Sequence, residues 1–154
     1  MLPPRVLGTL AVAALLFAGL GVPGPRRAAA QDPTAGEVNR VNPLAADPAA
    51  VGRGRGLFVQ NCAPCHGVEA DGHGPGSVGL TPSPANLAGP DVVPRYSDGY
   101  LFWRISKGKR GSAMPSFQHS LGEAERWSIV AWLRSLPQRA PGPAADRDPI
   151  VSAH

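Results

Sequence analysis

The spacing of apolar positions divides the chain into an opening apolar run, an aperiodic polar stretch, three helical patterns and an aperiodic tail. The run from Val6 to Val22 covers 17 mostly apolar residues. From 31 to 47, Pro, Ala and Asn mix without a period, the composition of a flexible linker. From 138 to 154 the pattern is again lost around Pro141, Pro143 and Pro149, which predicts a disordered tail. The folded part is therefore expected over 48–137. Its first helix starts with Asp47 as N-cap and Pro48 in the first turn. Val51, Gly54 and Phe58 share a face, with Leu57 beside them. Gly52, Gly54 and Gly56 weaken this helix intrinsically, so it needs tertiary support, and Gly54 lets a neighbour approach closely. A second helix is expected from Ser97 or Asp98 to Gly108, with Leu101, Phe102 and Ile105 on its apolar face. A third carries Ile129, Trp132, Leu133 and Leu136 at i, i+3, i+4, i+7 and ends before Pro137. Ser120 and Glu123 fit a capping box at its start. No strand-like alternation and no internal repeat is visible, so the expected fold is all-α.

Between the first and second helices, residues 67–94 are rich in Gly and Pro and poor in large apolar side chains. A structureless segment of that length is unusual in a compact domain. A domain of roughly 90 residues is also short of protein-only core. Both observations make sense if the segment wraps a large buried group.

Charge adds less than it first suggests. The formal net charge is +4, from 15 Lys and Arg against 11 Asp and Glu. Arg5, Arg26 and Arg27 flank the opening apolar run, which leaves 12 basic residues against 11 acidic over the rest. No basic surface for nucleic acid is implied. A basic residue, a short apolar run and Ala28-Ala29-Ala30 before Gln31 match an export signal over 1–30, cut after Ala30. Uncut, the same segment is an N-terminal anchor, although 17 residues fall short of the roughly 20 that span a bilayer. Either way the domain is expected in the periplasm or on the outer face of the cytoplasmic membrane.

The two cysteines of the chain stand together in Cys62-Ala63-Pro64-Cys65-His66. This C-x-x-C-H pattern is the attachment signature of haem c. Two thiols add across two vinyl groups, a two-residue gap lets both reach one macrocycle, and the following imidazole lies under the iron as an axial ligand. A redox dithiol expects a β-α-β setting, which the pattern lacks, and a zinc site lacks a second cysteine pair. Met114 is the only methionine beyond the opening run. Pro115 biases it toward extended backbone, and it falls between the second and third helices. A soft sulfur ligand there suits low-spin haem. Filling core space is the other use of such a methionine, and His73 and His119 are the other candidates for the second axial position.

The stretch from about Gly52 to Leu136 resembles the class I monohaem c-type cytochromes, a bacterial cytochrome c domain family. The likeness lies in Gly54 and Phe58 before the motif, Cys62-Ala-Pro-Cys65-His66-Gly67, Ala113-Met114-Pro115-Ser116-Phe117, and the last helix with Trp132. The segment Gly72-His-Gly-Pro75 with Pro84-Ala-Asn-Leu87 is similar to a bacterial subset. The resemblance implies one covalent haem c with three main helices around it. Gly54, Phe58 and Trp132 would then mark the crossing of the first and last helices. Met114 would be the sixth iron ligand opposite His66. A proline carbonyl would orient the His66 ring; Pro75 is the expected acceptor, with Pro82 and Pro84 as alternatives. By pattern, Leu57, Leu80, Leu87, Leu101, Phe102, Ile105, Phe117 and Leu133 would cover the haem.

Two protein ligands leave the iron no open position, which favours an electron carrier over an enzyme. Its partners are then redox proteins. Arg104, Lys107, Lys109 and Arg110 form a basic cluster that can steer docking to an acidic partner. The same cluster also suits a helix C-terminus. A haem subunit of a respiratory or oxidoreductase complex, tethered by the N-terminus, and a haem enzyme with a labile sixth ligand are the alternatives.

Overall fold

The computed structural model describes residues 32–137. The expected leader over 1–30 and the expected tail over 138–154 lie outside the described residues. Five α-helices follow in order: α1 (Ala35–Val38), α2 (Pro48–Asn61), α3 (Ala63–His66), α4 (Asp98–Lys107) and α5 (Glu123–Ser135). A single 3-10 turn spans Pro75–Ser77. No strand occurs among the described residues, and the all-α expectation holds.

The frame is the crossing of α2 and α5. Asp47 caps α2 by accepting from the Ala49 N–H at 2.9 Å, and Pro48 stands in the first turn. Where the helices meet, Gly54 lies against the backbone of Ser128. A Cβ at Gly54 would run into the Ser128 carbonyl and come within 2.9 Å of Trp132 Cβ. Only glycine permits this approach. Phe58, one turn on, packs its ring on Trp132 with centroids 4.3 Å apart and a tilt of 40°. Both rings are buried, so the crossing excludes water over two large apolar side chains. α4 closes the core from the side. Its Phe102 stacks on Trp127 of α5 at 4.0 Å, and Ser97 caps it by accepting from the Tyr100 N–H at 3.2 Å.

Two expectations need correction. Residues 32–47 are not a free linker but part of the fold. Thr34 and Glu37 cap α1 reciprocally, with the Glu37 carboxylate accepting from the Thr34 N–H at 2.8 Å. Asn42 is 3 % exposed and donates to the Trp127 carbonyl at 3.1 Å. Arg40 pairs with Glu123 and lies over the Phe102 ring at 4.6 Å. Single polar contacts anchor this stretch, and apolar periodicity is blind to them. The second correction concerns the start of α5. Gly122 is its N-cap, and Glu125 accepts from the Gly122 N–H at 2.7 Å. Glu123 is instead taken by Arg40, and Ser120 turns to the Phe117 carbonyl.

Candidate functional site

The C-x-x-C-H sequence forms its own short helix, α3, set directly on the end of α2. The Cys62 N–H still bonds back to Phe58 at 2.8 Å, while the Cys62 carbonyl accepts from the His66 N–H at 2.8 Å. This turn lets Cys62, Cys65 and His66 line one cavity together. No disulfide joins the two thiols. Burial, and then the neighbouring Cys65, push the Cys62 thiol up to about 12. It is therefore protonated near neutral pH, unlike the thiolate that a redox dithiol or zinc centre requires.

The His66 ring is fixed from behind. Its Nδ1 lies 3.0 Å from the carbonyl oxygen of Ala85. A carbonyl only accepts, so Nδ1 carries the proton and Nε2 keeps its lone pair. Burial lowers the His66 pKa, partly opposed by the Ala85 contact. Burial thus favours the neutral imidazole, and the Ala85 carbonyl fixes its tautomer, the state a metal ligand needs. The expected acceptor, Pro75, is not the partner. Pro75 opens the 3-10 turn, just after the Gly74 N–H bonds Cys65 at 3.0 Å. The loop returns to His66 ten residues later. There the Leu87 and Ala88 N–H groups both donate to the Ala70 carbonyl, at 2.7 and 3.0 Å. Any carbonyl on the returning segment can serve, so residue type carries no signal for Ala85.

Met114 lines the same cavity as His66. Its loop is tied to the end of α4. The Lys109 N–H donates to the Met114 carbonyl at 3.1 Å, the Met114 N–H donates to Ser112 Oγ at 3.2 Å, and Ser112 Oγ donates to the Lys109 carbonyl at 2.8 Å. Gly108 ends α4 at φ +69, and a Cβ there would meet the Met114 oxygen at 2.6 Å. His73 and His119 do not line the cavity. His73 sits by Asp71 at 3.7 Å, and His119 contacts Gln118 at 2.8 Å.

The cavity has a volume of about 170 Å³, opens to solvent at its mouth and has mostly apolar walls. Of the expected covering residues, Leu80, Leu87, Leu101, Ile105, Phe117 and Leu133 line it. Leu57 and Phe102 do not; Leu57 packs on the core and Phe102 is spent on Trp127. Polar residues that sequence pattern assigned elsewhere, or not at all, also line it: Tyr96, Tyr100, Arg104 and Lys109. Arg104 and Lys109, two members of the expected docking cluster, are thus part of the cavity wall. Lys107 reaches another way, donating to Gln118 at 2.9 Å. Two thiols and a neutral imidazole in one wall, a thioether in the same cavity, apolar sides and two cations fit a large flat group with acidic substituents. Haem is such a group.

Comparison with known proteins agrees. The family model described as cytochrome c oxidase, cbb3-type, subunit III, a c-type cytochrome domain, matches residues 49–133, more than half of the chain. The chain is similar in structure to a component of the reducing HAO-like protein complex of Kuenenia stuttgartiensis, with a TM-score of 0.51 and 24 % identity. That match covers 59 % of this chain and 45 % of the other. Cytochrome cL of the marine methylotroph Methylophaga aminisulfidivorans matches with a TM-score of 0.49 and 30 % identity, over 63 % of this chain and 59 % of the other. The chain therefore spans only about half the length of these solved proteins. No curated protein matches it in sequence. Members of the matched family bind covalent haem c and act in haem-based electron transfer. The chain belongs to this family and is a monohaem c-type cytochrome.

Proposed function

We propose that this chain is a periplasmic electron carrier whose single haem c is held by thioethers from Cys62 and Cys65, with His66 and Met114 as axial ligands. The observation that carries the proposal is one cavity lined by the attachment motif, a preoriented imidazole and the Met114 loop. When bound, haem supplies a one-electron iron couple. The protein's part is to keep the coordination unchanged between the two redox states. His66 is held by the Ala85 carbonyl, and Met114 by Ser112 and Lys109, so neither ligand needs to move. Apolar side chains from α4, α5 and the 67–94 loop keep water from the cavity, which favours the less charged reduced state.

Intact mass and the visible spectrum test this together. The mass of protein recovered from the periplasm should equal the chain without residues 1–30 plus one haem. The oxidised protein should show the weak red-edge charge-transfer band of methionine-to-ferric-iron ligation. A spectrum without that band at neutral pH removes Met114 as a ligand. An uncut mass in the membrane fraction replaces the free carrier with a tethered one.

That second reading has its own support. The matched family model is described as an oxidase subunit, and one similar solved structure is a component of a redox complex. A subunit of an oxidoreductase complex would use the same haem site to pass electrons to a fixed neighbour. For either reading the docking residues we propose are Arg104, Lys107, Lys109 and Arg110, of which Arg104 and Lys109 line the cavity. A haem enzyme with a labile Met114 is distinguished by carbon monoxide, which should bind the reduced protein tightly only if the sixth position opens.

A further inference from the structure

A second recess, of about 190 Å³, lies between the α1 segment, α4 and α5 and shares no lining residue with the haem cavity. From α4 it takes Phe102, Trp103 and Ser106, where the cavity takes Leu101, Arg104 and Ile105. Three cations, Arg40, Lys107 and Arg126, line it together with the carboxylates of Glu37 and Glu123. We infer that this recess is a binding site for inorganic phosphate, an oxyanion that accepts hydrogen bonds and still carries a proton to donate.

The cations of the recess are not all spent on its carboxylates. Arg40 pairs with Glu123. Neither Lys107 nor Arg126 forms an ion pair among the described residues. Lys107 donates to Gln118 at 2.9 Å, and Arg126 donates to Ser106 Oγ and to the Gly122 carbonyl at 3.4 Å. Arg126 is half-buried and lies over the Phe102 ring at 4.7 Å, the ring that Arg40 also meets at 4.6 Å. Two guanidiniums thus share one aromatic ring and one paired carboxylate. Burial lowers the Arg126 pKa, with Glu123 opposing and Arg40 adding to the drop. A partly desolvated cation beside a like charge is stabilised by an anion. Two of the five guanidinium N–H groups and one of the three ammonium N–H groups are used by protein, so both side chains keep donors. Trp103, 5 % exposed, also lines the recess, and its indole N–H meets no acceptor among the described residues.

The carboxylates choose among anions. Glu123 is neutralised by Arg40, whereas Glu37 is held by uncharged donors, the Thr34 N–H at 2.8 Å and the Thr34 hydroxyl at 2.9 Å, both on one oxygen. These bonds, with the charge of Lys107 adding to them, outweigh burial and keep the Glu37 carboxyl below its ordinary range. Glu37 is therefore an ionised acceptor near neutral pH. Such a group repels an anion that has no proton and accepts from one that has. Inorganic phosphate keeps at least one proton at pH 7, and sulfate has none. A phosphate monoester, with a second pKa of about 6, has mostly lost its proton there.

Calorimetric titration of the haem-loaded protein at pH 7 and fixed ionic strength tests this, with sodium phosphate, sodium sulfate and glycerol 3-phosphate as separate titrants. Wild type should bind one phosphate with a Kd on the order of 1 mM, and the other two anions about tenfold more weakly or less. Arg126→Gln and Lys107→Gln should each weaken phosphate binding about tenfold, with the visible spectrum unchanged, because each removes a charge-assisted donor. Glu37→Gln should shrink the preference for phosphate over sulfate to within about twofold, since the amide no longer repels the unprotonated anion. A site that only gathers positive charge would keep its preference in that variant. No saturable phosphate binding in wild type would overturn the inference. So would equal affinity for either comparison anion, an unchanged preference in Glu37→Gln, or wild-type affinity in Lys107→Gln. Should Arg126→Gln fail to fold, Lys107→Gln decides alone, because that side chain is exposed.

Discussion

The two walls of the cavity are built differently. The His66 wall is a helical turn fused to α2, with its ring locked by a main-chain carbonyl and two thiols placed for covalent bonds. The Met114 wall is a loop tied at Met114 by a serine hydroxyl and one backbone pair and just beyond it by Ser116 and Phe117 to the end of α4, with Gly111, Ala113 and Pro115 exposed. The first is over-determined and the second is held by a few contacts of about 1 kcal/mol each. On the ligation we propose, one site would combine a permanent ligand with a releasable one. The attachment side would fix where the haem sits, and the loop side would set how closed the iron is.

The largest effect should come from breaking the permanent wall. Replacing both Cys62 and Cys65 by Ser removes covalent attachment and much of the cofactor's contribution to folding, since a ligand bound only by the folded state stabilises it. The variant should lack covalent haem on denaturing gels and should lose most of its far-UV helical signal. A cooperative, native-like melt of the haem-free chain would show instead that the protein core suffices. Next in size is the frame that carries both walls. Gly54→Val drives a side chain into the Ser128 carbonyl and the Trp132 stem, and should cost roughly 3 kcal/mol or more by overpacking. Trp132→Ala opens a cavity beside Phe58 and should cost about 3–5 kcal/mol. Denaturant titration of the haem-loaded forms measures both. A Gly54→Val midpoint equal to wild type would mean that α2 and α5 do not need this close contact.

The sequence was informative where one residue type has one use. The C-x-x-C-H motif announced its cofactor, Met114 stood alone, and Gly54, Phe58 and Trp132 marked the helix crossing that the structure shows. It was silent where many residues can do the same job. Ala85 orients His66 through its main chain, which any residue carries. Asn42 and Arg40 turn an apparent linker into part of the core by single polar contacts. Arg104 looked like a solvated cation at a helix end, because sequence shows its charge but not which side of α4 faces the cavity. The box expected at Ser120 and Glu123 slipped by two residues, since Glu123 had a distant use against Arg40 that spacing cannot reveal.

Opening the releasable wall should be milder than breaking the permanent one. In Met114→Ala the haem should remain attached, and the oxidised protein should lose the red-edge band. Imidazole should then bind on the order of a hundredfold tighter, about 2.8 kcal/mol at 1.4 kcal/mol per tenfold. Absorbance titration checks this. An affinity unchanged from wild type would place the sixth ligand elsewhere and dissolve the contrast between the walls.

The finest probe is Ser112→Ala. The hydroxyl accepts from the Met114 N–H and donates to the Lys109 carbonyl, so its loss removes two modest hydrogen bonds while leaving the thioether in place. Because this loop is half-exposed, water can replace both partners, and the net cost should be about 1 kcal/mol. That energy is drawn from the closed form of the loop, so it should appear as about fivefold tighter imidazole binding with the red-edge band still present. Thermal stability measured without imidazole should fall only slightly, since the loop adds little to the α2–α5 frame. If Ser112→Ala lost the band outright, the position of Met114 would rest on this one hydroxyl, and the loop's other bonds would not hold the thioether in place. If it changed neither affinity nor spectrum, the backbone pair to Lys109 and the bonds from Ser116 and Phe117 to α4 would suffice, and the looseness of this wall would lie in the Met114 side chain itself.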